Sequence, residues 1–120
     1  MGDYKDLIVY QKAYKLALDI FEESKKFPPE EKYSLTDQIR RSSRSVCTNL
    51  GEGYRKRRYK AHFVSKLSDA ETENTETGIW LDFSHDCNYL SDEKYKDFIF
   101  RNTEVGKILW TMINYPDKFI

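Results

Sequence analysis

Residues 34–53 read SLTDQIRRSSRSVCTNLGEG, and their apolar side chains recur every three or four positions. This spacing predicts an amphipathic α-helix, because residues three and four apart lie on one helical face. The inward stripe is expected to comprise Leu35, Ile39, Ser42 or Ser43, Val46, Asn49 and Leu50. The small serines near its middle indicate that another helix approaches closely there.

Both ends of this second helix carry local signals. The Ser34 hydroxyl is expected to cap the first turn, and Asp37 lies near the positive end of the helix dipole. Gly51 and Gly53 are expected to mark the other end, because glycine is common where a helix stops.

Three further helical patterns flank this segment. The first covers residues 9 to about 26 and is stopped by Pro28 and Pro29; the third covers 59 to about 89. The fourth is opened by Ser91 as a cap and is closed by Pro116. No strand or hairpin signal competes with them. The sequence therefore predicts an all-α fold, an antiparallel up-down-up-down four-helix bundle, with residues 1–120 as one domain.

Composition agrees with a folded chain. Of 120 residues, 39% are hydrophobic and 33% are charged, which is enough to fill one core and to solvate its surface. No window approaches the ~18 apolar residues of a membrane span, and the N-terminus has no apolar signal region. We therefore expect a cytoplasmic protein with no membrane partner.

Opposite charges occupy separate stretches of this neutral chain. Residues 67–93 contain eight acids and no Lys or Arg, whereas residues 40–60 contain a single acid, Glu52. Such asymmetry concerns partners and not the fold. The cations of the basic stretch, which are the candidate nucleic-acid-binding residues, are Arg40, Arg41, Arg44, Arg55, Lys56, Arg57, Arg58 and Lys60.

The densest part of the basic stretch, YRKRRYK at residues 54–60, interleaves cations with tyrosines. Cations suit phosphate contacts, and tyrosine rings suit base stacking. Cations at the start of a helix oppose its dipole, so helix stability does not account for them. Three interpretations stay open: an anionic partner such as RNA or DNA, the acidic third helix of a neighbouring subunit, or a solvated loop.

Several polar residues lie on or beside inward stripes, where each needs a hydrogen-bond partner. We expect a buried network between the second and third helices, with Arg40 or Arg41 paired to an acid, and its expected role is to fix the helix register. The candidate members are Gln38, Asn49, Glu52, Glu76 and Thr77.

Metal and catalytic sites are not predicted. A di-metal bundle needs Glu-x-x-His on two helices, and this chain supplies only Asp82-x-x-His85. His62 and His85 lie in helical patterns without the loop signature of a catalytic base. Cys47 and Cys87 lie among apolar residues and are expected to act as small hydrophobes. We expect no enzyme activity, no metal and no cofactor.

The second helix also carries a specific pattern, and further motifs accompany it. The pattern is Leu35-x-x-Gln38-Ile39-Arg40-Arg41-Ser42-Ser43-x-Ser45-Val46-x-x-Asn49-Leu50-Gly51-Glu52-Gly53. The other motifs are Leu7-Ile8-Val9-Tyr10-Gln11-x-Ala13, Phe27-Pro28 with Glu31, and Glu76-Thr77 with Trp80-Leu81. Together they span nearly the whole chain and resemble the four-helix bundle family encoded in intervening sequences of bacterial 23S ribosomal RNA genes.

The resemblance implies a homo-oligomer, with a pentameric ring expected. It also implies a fold similar to that of the accessory proteins of diversity-generating retroelements, which bind nucleic acid and a reverse transcriptase. No catalytic residues follow from it. Two positions depart from the family pattern: Cys47, where the family often has proline, and Gly51, where it often has alanine. Gly51 is expected to weaken the end of the helix by up to about 1 kcal/mol relative to alanine.

The leading hypothesis is a non-enzymatic, ring-forming bundle whose basic second-helix end contacts RNA or another polyanion. Repeated clusters on several subunits would add through multivalency. The alternative is a protein-protein scaffold in which basic and acidic segments pair between subunits, with no nucleic-acid binding. A second protein is a further possible partner.

Overall fold

The computed structural model describes residues 2–120, which form four α-helices and three short 3-10 turns. The helices are α1 Ile8–Ser24, α2 Leu35–Arg55, α3 Lys60–Asp86 and α4 Asp92–Asn114. The 3-10 turns are Tyr4–Asp6, Pro29–Glu31 and Pro116–Lys118. No strand occurs in residues 2–120, so the predicted all-α class with four helices is confirmed.

Each helix packs against two others, and α2 shares its largest interface with α3. In the α2–α3 and α3–α4 pairs, residues further along one helix contact residues nearer the start of the other. Between α2 and α3 the pairs are Ser42 with Thr77 and Glu52 with Lys66. Between α3 and α4 the pairs are Asn74 with Asn102 and Asp82 with Tyr95.

The interior consists of two apolar clusters with a polar layer between them. One cluster contains Val9, Ala13, Val46, Cys47, Leu50, Phe63, Leu67, Ala70, Val105, Leu109 and Met112. The other contains Leu16, Ile20, Phe27, Leu35, Ile39, Leu81, Leu90 and Phe98. The buried members of the polar layer include Ser42, Asn74, Thr77 and Asn102. Because each buried polar group needs a hydrogen-bond partner, this layer fixes the register of the helices relative to one another.

The two glycines of α2 do not end the helix, which corrects the prediction. The helix continues through both of them to Arg55. Gly53 is buried, and a Cβ atom there would lie 3.0 Å from the Cβ of Lys66 on α3. The close approach of α3 therefore accounts for Gly53, because a larger side chain would push the two helices apart.

The start of α2 is capped by a different residue from the one predicted. Ser34 makes no side-chain cap; its hydroxyl instead donates to Oε1 of Glu31 at 2.6 Å. The same Glu31 oxygen accepts the backbone N–H of Leu35 at 3.3 Å. The cap of α4 is confirmed, since the Ser91 hydroxyl accepts the backbone N–H of Lys94 at 3.1 Å.

The third helix is shorter than predicted at its C-terminal end. It stops at Asp86, whereas the apolar pattern continues to Tyr89. Asn88 adopts a left-handed backbone conformation with φ of 65°, which turns the chain away from the helix. None of the helices in the described chain carries an apolar run of the length that a bilayer requires.

Candidate nucleic-acid interface

A short connection between α2 and α3 places the densest basic segment at one end of the bundle. Residues 56–59 link Arg55, which ends α2, to Lys60, which begins α3. Backbone hydrogen bonds hold the turn, with the Lys56 N–H on Gly53 O at 2.9 Å and the Tyr59 N–H on Lys56 O at 2.8 Å. The cations therefore project from an ordered turn.

Three cations of this turn are both exposed and unpaired. Arg55, Lys56 and Arg58 are exposed, and none forms a salt bridge within residues 2–120. Arg57 differs, because its guanidinium lies 3.6 Å from the centroid of the Tyr54 ring and its Nε donates to Tyr54 O at 2.9 Å. The first three can meet a phosphate without breaking an existing ion pair.

Two other predicted cations are already paired with acids. Lys60 lies 3.0 Å from Asp117, and Arg41 lies 3.1 Å from Glu76. Both pairs are largely exposed and contribute little to stability. They do reduce the charge that these two residues offer to a polyanion.

The remaining two predicted cations lie along α2, beside α1. Arg40 and Arg44 pack over the Phe21 ring, with guanidinium carbons 4.7 and 5.2 Å from its centroid. Arg40 also donates from Nε to the Ser24 hydroxyl at 2.7 Å. The eight predicted residues therefore divide between the end of the bundle and the outer surface of α2.

A basic concavity of about 630 Å³ lies next to the turn. Its walls include Tyr54, Arg55 and Arg58 from the turn region and Asp3 from the N-terminal segment. The Asp3 carboxylate accepts the backbone N–H of Lys5 at 3.3 Å and does not form a salt bridge with these arginines. Three arginines, Arg55, Arg57 and Arg58, line this one concavity.

The predicted polar network occurs as separate contacts and not as one connected set. On the α2–α3 interface, Thr77 donates to the Ser42 hydroxyl at 2.8 Å, and this contact is buried. Arg41 joins Gln38 and Glu76 at 3.0 and 3.1 Å on the exposed edge. These two groups of contacts lie on the interface that the sequence predicted.

Of the other two predicted members, one also joins α2 to α3 and the other does not. Glu52 is exposed and pairs with Lys66 of α3 at 2.8 Å. The Asn49 side chain donates to Ser45 O at 2.9 Å within its own helix and therefore does not bridge the helices. The place of Asn49 on the inward stripe of α2 did not reveal that its side chain could bond to the backbone of its own helix.

Similarity to known proteins identifies the family to which this chain belongs. The sequence model of the 23S rRNA-intervening sequence protein family matches residues 5–111. The chain belongs to this family. A solved structure from Bacteroides thetaiotaomicron VPI-5482, described as a protein with unknown function from the S23 ribosomal protein family, is 30% identical. The match covers 88% of this chain and 98% of that chain, with a TM-score of 0.81. Nothing matches among proteins with curated descriptions.

The chain described here also contains a buried amide pair that the sequence did not lead us to predict. The Asn74 side chain donates to Oδ1 of Asn102 at 2.9 Å, and Asn102 donates to the backbone oxygen of Asn74 at 3.0 Å. Two glycines leave room for the pair: a Cβ on Gly106 would lie 2.7 Å from Asn74, and one on Gly78 would lie 3.3 Å from Asn102. Both asparagines lie on the apolar stripes of their helices, and this position was the signal in the sequence that could have predicted the pair.

Glu73 and Glu76 form an acidic pair on α3, and Glu76 is the acid that contacts Arg41. Oε1 of Glu73 is buried and has no hydrogen-bond partner within residues 2–120. Burial, followed by the charge of Glu76, raises the pKa of Glu73. Glu73 therefore carries its charge less readily than an ordinary glutamate does.

The two cysteines of this protein occupy different environments. Cys47 is buried, and burial raises the pKa of its thiol to about 12, so the nucleophilic thiolate form is suppressed. Cys87 is exposed at the end of α3, which corrects the expectation that it packs as a hydrophobe. Within residues 2–120, no cluster of three His, Cys, Asp or Glu side chains could hold a metal ion.

Proposed function

We propose that this protein binds RNA or another nucleic acid through Arg55, Lys56 and Arg58, as a non-enzymatic homo-oligomer in the cytoplasm. The observation that carries the proposal is the absence of a salt bridge to any of these three exposed cations within residues 2–120. Unpaired cations release counterions from phosphates on binding, which is the main source of sequence-independent affinity. The relation of the family to 23S rRNA genes, given in its name, agrees with an RNA partner.

The arrangement of the bundle is part of the proposal. The opposite order of the contacts between consecutive helices supports an antiparallel up-down-up-down topology. In that topology the α2–α3 connection lies at one end of the bundle. A ring of subunits, with five expected from the family resemblance, would then present the three cations repeatedly, and weak phosphate contacts would add through multivalency.

The test is a titration of the purified protein with structured RNA over a range of salt concentrations. Replacing Arg55, Lys56 and Arg58 with alanine should weaken binding at low salt. Each lost phosphate contact should reduce the slope of log K against log salt by about 0.7 to 0.9, so three lost contacts reduce it by about 2 to 3. The slope measures the number of contacts directly.

A matched control removes the same charge from another surface. Lys94, Lys96 and Lys107 on α4 are exposed and form no salt bridge within the described residues. Their replacement by alanine should leave the salt slope unchanged. Equal losses in the two variants would show that only net charge matters, and that result would refute a site at the α2–α3 turn.

A second candidate function is a protein-only scaffold. The observation in its favour is the outer surface of α3, where Ile79 and Phe83 are 47% and 53% exposed. These residues lie one helical turn apart beside the exposed acids Asp82 and Asp86. An oligomer that dissociates in salt, together with no RNA affinity even at low salt, would favour this scaffold over the nucleic-acid-binding function.

A further inference from the structure

A groove of about 720 Å³ runs between α1 and α2 on the outside of the bundle. Tyr10, Tyr14 and Leu18 line it from α1, whereas Arg44 and Arg55 line it from α2. Its volume lies within the range of clefts that accept organic ligands of moderate size. One wall is therefore aromatic and apolar, and the other wall carries cations.

The groove continues into a basic concavity at each end. Tyr4 and Arg55 line both the groove and the concavity beside the α2–α3 turn. Arg44 and Thr48 line both the groove and a third concavity, which includes Arg40. We call the groove together with these two concavities the α1–α2 track. It extends from the proposed phosphate site along the outer surface of α2.

The charges along the α1–α2 track favour an anionic ligand. Arg44 and Arg55 form no salt bridge within residues 2–120, and Arg40 donates to a serine and not to an acid. The acid of the groove itself, Glu52, is paired with Lys66 at 2.8 Å. Asp3 and Asp37 lie only in the end concavities.

The aromatic wall offers faces for flat ligands. The Tyr10 and Tyr14 rings are stacked, with centroids 5.8 Å apart and planes inclined by 29°. Tyr14 is 50% exposed, and Leu18, one turn further along α1, is 48% exposed. An exposed ring in a cationic channel can stack with any nucleobase, because every base has a π-face.

We propose that the α1–α2 track binds a single-stranded polynucleotide, with its phosphates on the α2 arginines and its bases against the tyrosine wall. The inference rests on the proposed function and extends it by naming the strand form that is bound. Bases within a duplex are stacked on one another and cannot reach the tyrosine faces, whereas unpaired bases can be splayed out onto them.

The length of the track sets the size of the bound segment. Arg40 and Arg55 are separated by fifteen residues of α2, which corresponds to about 22 Å along the helix. That length is suited to a short segment of about four nucleotides, at the lower end of the range for single-strand binding sites.

The experiment compares three probes with equal numbers of phosphates: an unstructured oligouridylate, the corresponding oligothymidylate, and a blunt RNA duplex. Fluorescence anisotropy at moderate salt measures each affinity. The single strands should bind more tightly than the duplex. Tyr14→Ala should weaken single-strand binding by about five- to 150-fold and leave duplex binding unchanged. Tyr14→Phe, which keeps the aromatic face, should bind like the original protein.

Two controls separate this inference from the proposed function. Phe100→Ala removes a 70% exposed aromatic ring from α4 and should affect no probe. The alanine variant of Arg55, Lys56 and Arg58 should weaken all three probes. The oligouridylate and oligothymidylate arms show whether RNA or DNA is the preferred single strand.

Three outcomes would overturn the inference. Equal binding of duplex and single strand, with no effect of Tyr14→Ala, would refute the track and leave the turn site standing. No binding of any probe would refute both proposals. If Tyr14→Ala dissociates an oligomer in sedimentation velocity and leaves oligouridylate binding intact, a second copy of the chain occupies the groove.

Discussion

The His85 side chain is held by acids and by an aromatic ring where α3 meets α4. Its Nε2 lies 2.6 Å from Oδ1 of Asp92, and its ring stacks on Tyr95 with centroids 4.2 Å apart. The hydrogen bond with Asp92 raises the pKa of His85 above 6.5. The same bond lowers the pKa of Asp92 below 3.8. The charged pair therefore joins the end of one helix to the start of the next.

These two shifts have opposite signs and define a window of pH. A raised histidine pKa stabilises the fold below 6.5, and this effect is lost as the pH rises through the folded-state pKa. A lowered aspartate pKa stabilises the fold above 3.8, and this effect is lost as the pH falls through the folded-state value. The pair should therefore stabilise the protein most between these limits.

We predict that Asp92→Asn lowers the pKa of His85 and removes this part of the pH dependence of unfolding. The free energy of unfolding should fall more at a pH of about 5 than at a pH of about 8. NMR titration of His85 and chemical denaturation at both pH values measure the two effects. Glu93→Gln, which also removes an acid from the first turn of α4, is the control. An unchanged pKa of His85 in Asp92→Asn would contradict the pairing.

At the scale of the helices, two glycines that look alike in the sequence have different surroundings. A Cβ on Gly51 of α2 would lie 3.7 Å from the Tyr4 ring, which is an ordinary contact. A Cβ on Gly106 of α4 would lie 2.7 Å from Oδ1 of Asn74, whose amide is fixed by its bonds to Asn102. The first position has room for a methyl group, and the second does not.

Alanine substitutions should therefore change stability in opposite directions. Gly51→Ala should raise the free energy of unfolding by about 0.5 to 1 kcal/mol, because alanine has the higher helix propensity. Gly106→Ala should lower it by about 1 to 3 kcal/mol, because the added methyl displaces a buried amide. Urea denaturation of both variants tests the pair. Equal stabilisation by both substitutions would show that the amide layer adapts easily.

Another glycine of α2, Gly53, shows what the sequence could predict and what it could not. The helices were predictable, because a spacing of three and four along the chain is a local property. The reason for Gly53 was not, because it depends on Lys66 of a different helix. The basic turn was also predictable from residues 54–60, but which of its cations are free depends on a distant acid, Asp117, which pairs with Lys60.

At the scale of the whole molecule, the basic turn and the exposed apolar surface of α3 belong to different parts of the bundle. A ring that buries Ile79 and Phe83 between subunits would leave Arg55, Lys56 and Arg58 of every subunit exposed. A long RNA could then contact several subunits at once, whereas a short oligonucleotide would contact only one. Multivalent binding of this kind exceeds the affinity of one site by about 10² to 10⁴.

If the protein acts as the proposed ring, the double substitution Ile79→Ser with Phe83→Ser should dissociate this oligomer and separate binding of long RNA from binding of a short oligonucleotide. Affinity for long RNA should fall by about 10² to 10⁴, because only one cluster can then engage each chain, whereas affinity for a short oligonucleotide should stay the same. Sedimentation velocity and parallel titrations measure the two effects. Phe100→Ser, which changes a 70% exposed ring on α4, is the control and should do neither. An intact oligomer in the double variant would place the subunit interface elsewhere, and equal losses for long and short RNA would mean that the serines act on the binding site itself.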